Sequence, residues 1–185
     1  MQIPDILMLD TNVFNHILDG RLDPEQLRGR HLVATHVQRD EIQATRDEER
    51  RSALMGLFDD FVPQRTPTTS AVAGVSVAGE ACGSASGVVP TESFVFDVSR
   101  WDEAKWSRED HVFSAMLSDL DALNGAKGNN IKDVLIAETA FRNGWTLVTD
   151  DTDLAQVATR YGCRCMNMTV RGGLESAPLV DQLPE

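Results

Sequence analysis

The chain has 185 residues, 42% of them hydrophobic and 25% charged, with a formal net charge of -12. That length allows one substantial core and excludes two ordinary domains with a linker, and the sequence holds no run of about 18 apolar residues that would span a bilayer. The acidic balance argues against tight non-specific binding of nucleic acid, which needs a basic excess to displace counterions from phosphates.

Met1 to Asp5 carries neither the basic region nor the apolar stretch of a secretory signal, so a soluble, cytoplasmic chain with no membrane contact is expected. Ile6 to Leu9 is a short apolar run that ends at Asp10 and reads as a strand. Thr11 and Asn12 then open a segment with Val13, Phe14, Ile17 and Leu18 at helical spacing. Arg28, Arg30, Arg39, Arg46, Arg50 and Arg51 gather in the first third, which leaves room for a local basic patch or for a solvated helix face paired with Asp47, Glu48 and Glu49. His31 to Thr35 reads as a second strand, and Thr35 with Gln38 forms a capping box that starts a helix running through Glu41 toward Phe61.

From Pro63 to Gly87 the composition changes to Pro, Thr, Ser, Ala, Gly and Val, which marks an insertion or long loop at about 63–100, with room for a hairpin. Ser99 to Leu123 returns to a helical pattern whose apolar stripe is Trp106, Phe113, Met116, Leu117 and Leu120. Trp101 and Trp106 read as packing residues in preference to base-stacking ones. Ile131 to Asn143 is helical by the spacing of Ile131, Val134, Ala137 and Phe141, and Gly144 stops it. Trp145 to Thr149 is a buried strand, Asp151 to Tyr161 a helix ended by Gly162, and Cys163 to Met168 a last strand. Strands alternating with helices imply parallel pairing with helices on both faces, a doubly wound α/β sheet in a single domain. The cysteines Cys82, Cys163 and Cys165 lack the second pair or the histidines of a zinc site and read as reduced thiols, two of them on a strand.

In a parallel α/β sheet, ligands sit beyond the carboxyl ends of the strands, where the direction of winding reverses. Asp10 directly follows the first strand, Glu41 lies early in the helix after the second, and Asp150, Asp151 and Asp153 follow the strand ending at Thr149. Asp133 stands in the first turn of its helix, where the backbone amides favour a carboxylate. Carboxylates crowded in this way raise one another's pKa, and a hard cation such as Mg²⁺ or Mn²⁺ resolves the conflict with oxygen ligands alone. Such a metal makes a hydroxide from bound water and stabilises a leaving oxygen, as phosphodiester hydrolysis requires, so no histidine base is needed. His16, His31, His36 and His111 have no evident partner set and read as surface or capping residues. Taken singly, Asp10 is explained by a helix cap and Asp133 by a first-turn acid, Asp150 and Asp153 can be an N-cap and its turn partner, and Glu41 can be a helix charge, though it falls on the flank of the buried stripe between Val37 and Ile42; their shared place at one sheet edge is what points to a site.

Four segments resemble the PIN-domain nucleases: Met8-Leu9-Asp10-Thr11-Asn12-Val13-Phe14, Thr35 to Ile42, Asn130 to Ala140, and Thr146 to Leu154, in that family's order. The resemblance implies a three-layer α/β/α sandwich with a central parallel sheet and Mg²⁺- or Mn²⁺-dependent endoribonuclease activity. In many bacterial members it also implies a toxin role with an antitoxin partner. It casts Asp10, Glu41, Asp133 and Asp151 as metal ligands, with Asp153 as rival for the last place, and Thr11, Asn12, Thr149 and Asp150 as supporting residues. RNA is the implied substrate, and a homodimer is a further state the chain leaves open. The stretch from Pro63 to about Arg100 is longer than compact toxin members carry. Two rival readings are a haloacid-dehalogenase-like phosphatase, which wants a second Asp where Asn12 stands, and a catalytically silent binding module, which would be expected to have lost one of the acids.

Overall fold

Strand β1 (Ile6–Leu9) has three of its four residues buried, and β3 (Thr146–Thr149) has all four buried. Apolar runs of this kind suit the interior of a parallel sheet covered on both faces. In the computed structural model, which describes residues 5–62, 88–99, 104–105, 111–168 and 174–176, they are its central neighbours. The sheet is completed by β2 (His31–Val33), β4 (Arg164–Met168) and β5 (Leu174–Ser176), in the order β2-β1-β3-β4-β5. The first four strands are parallel, with Leu7 opposite both Leu32 and Thr146 and Leu147 opposite Cys165, and β5 is an antiparallel edge on β4. β5 lies beyond Met168, where the last strand expected from the sequence ends, and is an additional strand.

Alternation along the strands divides the core in two. Leu7, Leu9, Leu32 and Val148 face one layer, together with Val13, Phe14 and Ile17 of α1 (Thr11–Leu18) and Leu54 and Phe58 of α3 (Glu48–Phe61). The Phe14 and Phe58 rings meet at 5.4 Å between centroids and close that layer. Met8, Val33, Leu147 and Cys165 face the other, with Met116 and Leu120 of α4 (Val112–Asn124), Val134 and Ala137 of α5 (Asn130–Arg142), and Leu154 and Ala158 of α6 (Thr152–Arg160). The result is the expected three-layer α/β/α sandwich, with four parallel strands at the centre of its sheet. Among the described residues no helix is long and apolar enough to cross a membrane.

Three sequence expectations change. The single helix expected from Thr35 to Phe61 is two, α2 (His36–Gln43) and α3. Asp47 breaks it, because its carboxylate accepts from the Arg50 amide at 2.9 Å and caps a new helix, while Arg51 Nη1 satisfies the Thr45 carbonyl at 3.0 Å. The bend lets Ile42 and Leu54 both reach the same core layer.

The helix expected from Ser99 begins only at Val112, after His111 in the left-handed conformation (φ 57°). Ala104, within the expected helix, instead bridges Thr91. Trp101 and Trp106 lie outside the described residues, as do Cys82 and positions 63–87 of the expected insertion.

The end of that insertion, from Val88, packs into the body. Val88 and Val89 are buried, and the Val89 amide donates to the Ala34 carbonyl at 2.8 Å. Thr91, Glu92 and Ser93 are buried as well, with Glu92 held by Lys105 Nζ at 2.7 Å and Asn143 Nδ2 at 2.9 Å.

Candidate functional site

From β1 the chain crosses by α1 to β2 on one side, and from β3 by α6 to β4 on the other. The winding therefore reverses between β1 and β3, and the crevice beyond their carboxyl ends is where an α/β sheet of this kind binds ligands. Asp10 stands at its floor, 2% exposed, with its amide donating to the Val148 carbonyl at 3.0 Å. Its Oδ1 accepts from the Thr11 amide and its Oδ2 from Thr149 Oγ1, both at 2.7 Å, while Asn12 Nδ2 lies 3.4 Å from Oδ2. Burial pushes the Asp10 carboxyl up to about 6, against the pull of the Thr149 and Thr11 bonds, and the charges of Glu41 and Asp150 push the same way.

Thr149 joins two walls of the crevice, since the Oγ1 that donates to Asp10 also accepts from the Asp151 amide at 3.0 Å. Thr149→Val keeps the side-chain shape and removes both bonds. It should lower the unfolding free energy in urea by about 1–3 kcal/mol, the cost of leaving buried polar groups unmet. A variant as stable as the wild type would show that the hydroxyl holds neither wall.

Glu41 arrives from α2, whose N-terminus is fixed by the Thr35–Gln38 capping box foreseen in the sequence. Gln38 does more than cap, because its Nε2 also donates to the Leu9 carbonyl at 2.8 Å and so pins α2 to the end of β1. One turn on, Glu41 is 17% exposed; its Oε2 accepts from the Thr11 hydroxyl and its Oε1 lies 3.4 Å from Lys132 Nζ.

Asp133 is presented by the first turn of α5, where its amide donates to the Asn129 carbonyl at 3.1 Å. That turn is anchored by Asn130, whose buried amide donates to Asp121 and Asn124 of α4 at 2.7 Å each. Asp133 is pushed up to about 8, first by burial, then by the charges of Asp10, Glu41 and Asp151, with Lys132 opposing them.

Asp151 caps α6, its Oδ1 accepting from the Asp153 and Leu154 amides at 2.9 Å each. Of the two rivals for the last place, it is Asp151 whose charge acts on Asp133. Asp153 sits in the first turn of α6.

Asp150 takes a partner that sequence reasoning does not supply: its Oδ2 meets His16 Nε2, across a separation of 134 residues that no local pattern reveals. His16 is thus not a plain surface residue, and His36, at the start of α2, is fully buried; the expectation for those two histidines is corrected. His31 and His111 are exposed, as expected. Cys163 and Cys165 are free, buried thiols as expected; Cys165 lies on β4, whereas Cys163, expected on the strand, directly precedes it.

Asp10, Glu41, Asp133 and Asp151 thus come from four separate elements, and the charges of the other three act on Asp133. No three Asp, Glu, His or Cys side chains among the described residues stand close enough together to hold a metal ion as they are. Their oxygens have other partners: both Glu41 oxygens are taken by Thr11 and Lys132, and both Asp10 oxygens by hydrogen bonds. The donor set still fits a hard cation in kind. It is all oxygen, and the crowding that raises Asp133 is the conflict a divalent ion relieves.

Fold and site define a doubly wound α/β sandwich with a carboxylate cluster at its switch point. No family model and no curated protein matches the chain. Among solved structures it is similar to VapBC2 from Rickettsia felis bound to a DNA fragment from their promoter, at 14% identity and a TM-score of 0.40, covering 82% of this chain and 92% of that one. It is also similar to VapBC-5 from Mycobacterium tuberculosis, a member of the VapBC family of toxin-antitoxin systems, at 19% identity and a TM-score of 0.37, covering 83% and 91%.

Proposed function

We propose that the protein is a metal-dependent endoribonuclease that hydrolyses RNA phosphodiester bonds in the acidic crevice, with Mg²⁺ or Mn²⁺ as its cofactor. One observation carries the reading: at the switch point of the sheet Asp133 is pushed up to about 8, first by burial and then by the charges of Asp10, Glu41 and Asp151 from other elements. Asp10, Glu41, Asp133 and Asp151 would hold the ion. Bound there, a hard divalent cation supplies a water nucleophile at neutral pH and neutralises charge on phosphate oxygens.

The chain's own residues do the rest. Thr149 fixes the floor carboxylate of Asp10 and the cap of Asp151 in one frame, and Thr11 ties Glu41 to the same floor by its hydroxyl. Asn12 and Asp150, beside Asp10, complete the polar wall. RNA as substrate and an antitoxin protein as partner are carried over from the resemblance of Leu9-Asp10-Thr11-Asn12 and of Leu147 to Leu154 to PIN-domain nucleases.

A second reading, a binding module that keeps the acids without a metal, is favoured by the spacing of the carboxylates as they stand. One experiment decides between the two. Single-stranded RNA incubated with purified protein should be cut when Mg²⁺ or Mn²⁺ is present, leaving 5′-phosphate and 3′-hydroxyl ends, and cutting should stop on addition of EDTA. Cleavage that persists in EDTA overturns the metal-dependent reading, and RNA left whole with either metal favours the binding module.

A further inference from the structure

The crevice already contains a cation of its own. Lys132 stands in the first turn of α5, directly before Asp133, and its Nζ lies 3.4 Å from Glu41 Oε1. Its side chain is 38% exposed while that of Glu41 is 17% exposed, so the lysine is the more solvated partner of the pair. With Thr11 on Oε2, the lysine completes the engagement of Glu41, and its charge opposes the repulsion that the other acids exert on Asp133.

We propose that Lys132 is the counter-ion of the metal-free crevice, that a divalent cation displaces it from Glu41, and that the released ammonium then receives a phosphate of the substrate. The inference rests on the metal-dependent reading above. An ammonium on a flexible four-carbon stem can leave its carboxylate without any backbone change, and a monovalent, partly exposed partner would yield to a divalent ion at the same carboxylate. Lys132 would then be free to turn to solvent beside the acids. A chain of net charge -12 gains there the local positive charge that an incoming phosphodiester needs.

The test is Mn²⁺ binding without RNA, by calorimetry, on the wild type, Lys132→Gln and Lys132→Arg. Removing the competitor should tighten Mn²⁺ binding of Lys132→Gln by about twofold to fivefold, the affinity equivalent of one partly exposed ion pair, while Lys132→Arg stays near the wild type. In EDTA the Gln variant should melt below the wild type, having lost its counter-charge, and with Mn²⁺ its KM for RNA should rise with kcat little changed. Mn²⁺ affinity equal to or weaker than wild type in Lys132→Gln overturns the displacement, and an unchanged KM overturns the phosphate role. A wild type that binds no Mn²⁺ at all overturns instead the metal-dependent reading on which both depend.

Discussion

Replacing Asp10, Glu41, Asp133 or Asp151 singly by its amide should lower RNA cleavage by on the order of a hundredfold or more, while Asp40→Asn stays near the wild type. Each amide keeps the size of the side chain and removes the charge that would hold a divalent ion. Asp40 adjoins Glu41 in sequence but pairs with Arg39 at 3.9 Å, so it serves as the control for a general loss of acidity.

Stability should separate the four. Glu41→Gln and Asp133→Asn remove a charge from a crowded set and should leave the melting temperature in EDTA unchanged or raised. Asp10 and Asp151 also cap α1 and α6, and asparagine caps about as well as aspartate, so Asp10→Asn and Asp151→Asn should be near neutral. The measurements are initial cleavage rates with Mn²⁺ beside melting curves in EDTA. Variants that lose stability yet still cut RNA would make the acids structural alone.

That pairing of roles bears on what the sequence could tell. Read singly, Asp10 is explained by a helix cap alone, and Asp150 reads as the cap of the helix after Thr149; in the structure Asp10 and Asp151 are the caps, and the charges of both also act on Asp133. The strands β1 to β4 and the helices α1, α5 and α6 are legible because burial on both faces and a 3.6-residue stripe leave a strong local record. So is the switch point, since chain order alone places Asp10 and Asp150 on either side of it.

The break at Asp47 is harder to see, because a capping aspartate inside a charged run looks like one more solvated acid. Less legible still are contacts made at long range. The His16–Asp150 pair, the Gln38 bond to Leu9 and the Lys132–Glu41 pair depend on elements that only the closed sheet brings together. The same holds for Glu138, fully buried on α5 and paired with Arg142 at 2.8 Å; a core carboxylate cannot be told from a surface one when its partner lies one turn away on a helix rich in charge.

In EDTA the wild type should lose stability as the pH rises from 6 to 8, and Asp133→Asn should not. The folded protein holds the Asp133 proton up to about 8, whereas the unfolded chain releases it at the ordinary 3.8. Between those values the folded state binds more protons, so its stability falls as pH rises, by at most about 1.4 kcal/mol per pH unit and by less where solvent screens the group. Below pH 4 the penalty vanishes, and above about 8 it is complete. Asp10, pushed up to about 6, adds a smaller loss of the same sign that is largely spent by pH 7. For a chain of this size the fall from pH 6 to 8 corresponds to about 5 °C in melting temperature. The asparagine variant lacks the titrating group and should melt above the wild type at pH 8, with the two curves converging toward pH 4. Saturating Mn²⁺ should reverse the trend in the wild type, because the ion binds the ionised carboxylates and its affinity rises as they lose their protons. A wild-type melting temperature in EDTA that is flat or rises across this range, or one that the asparagine variant follows, would mean that the four acids do not share a charge-crowded site.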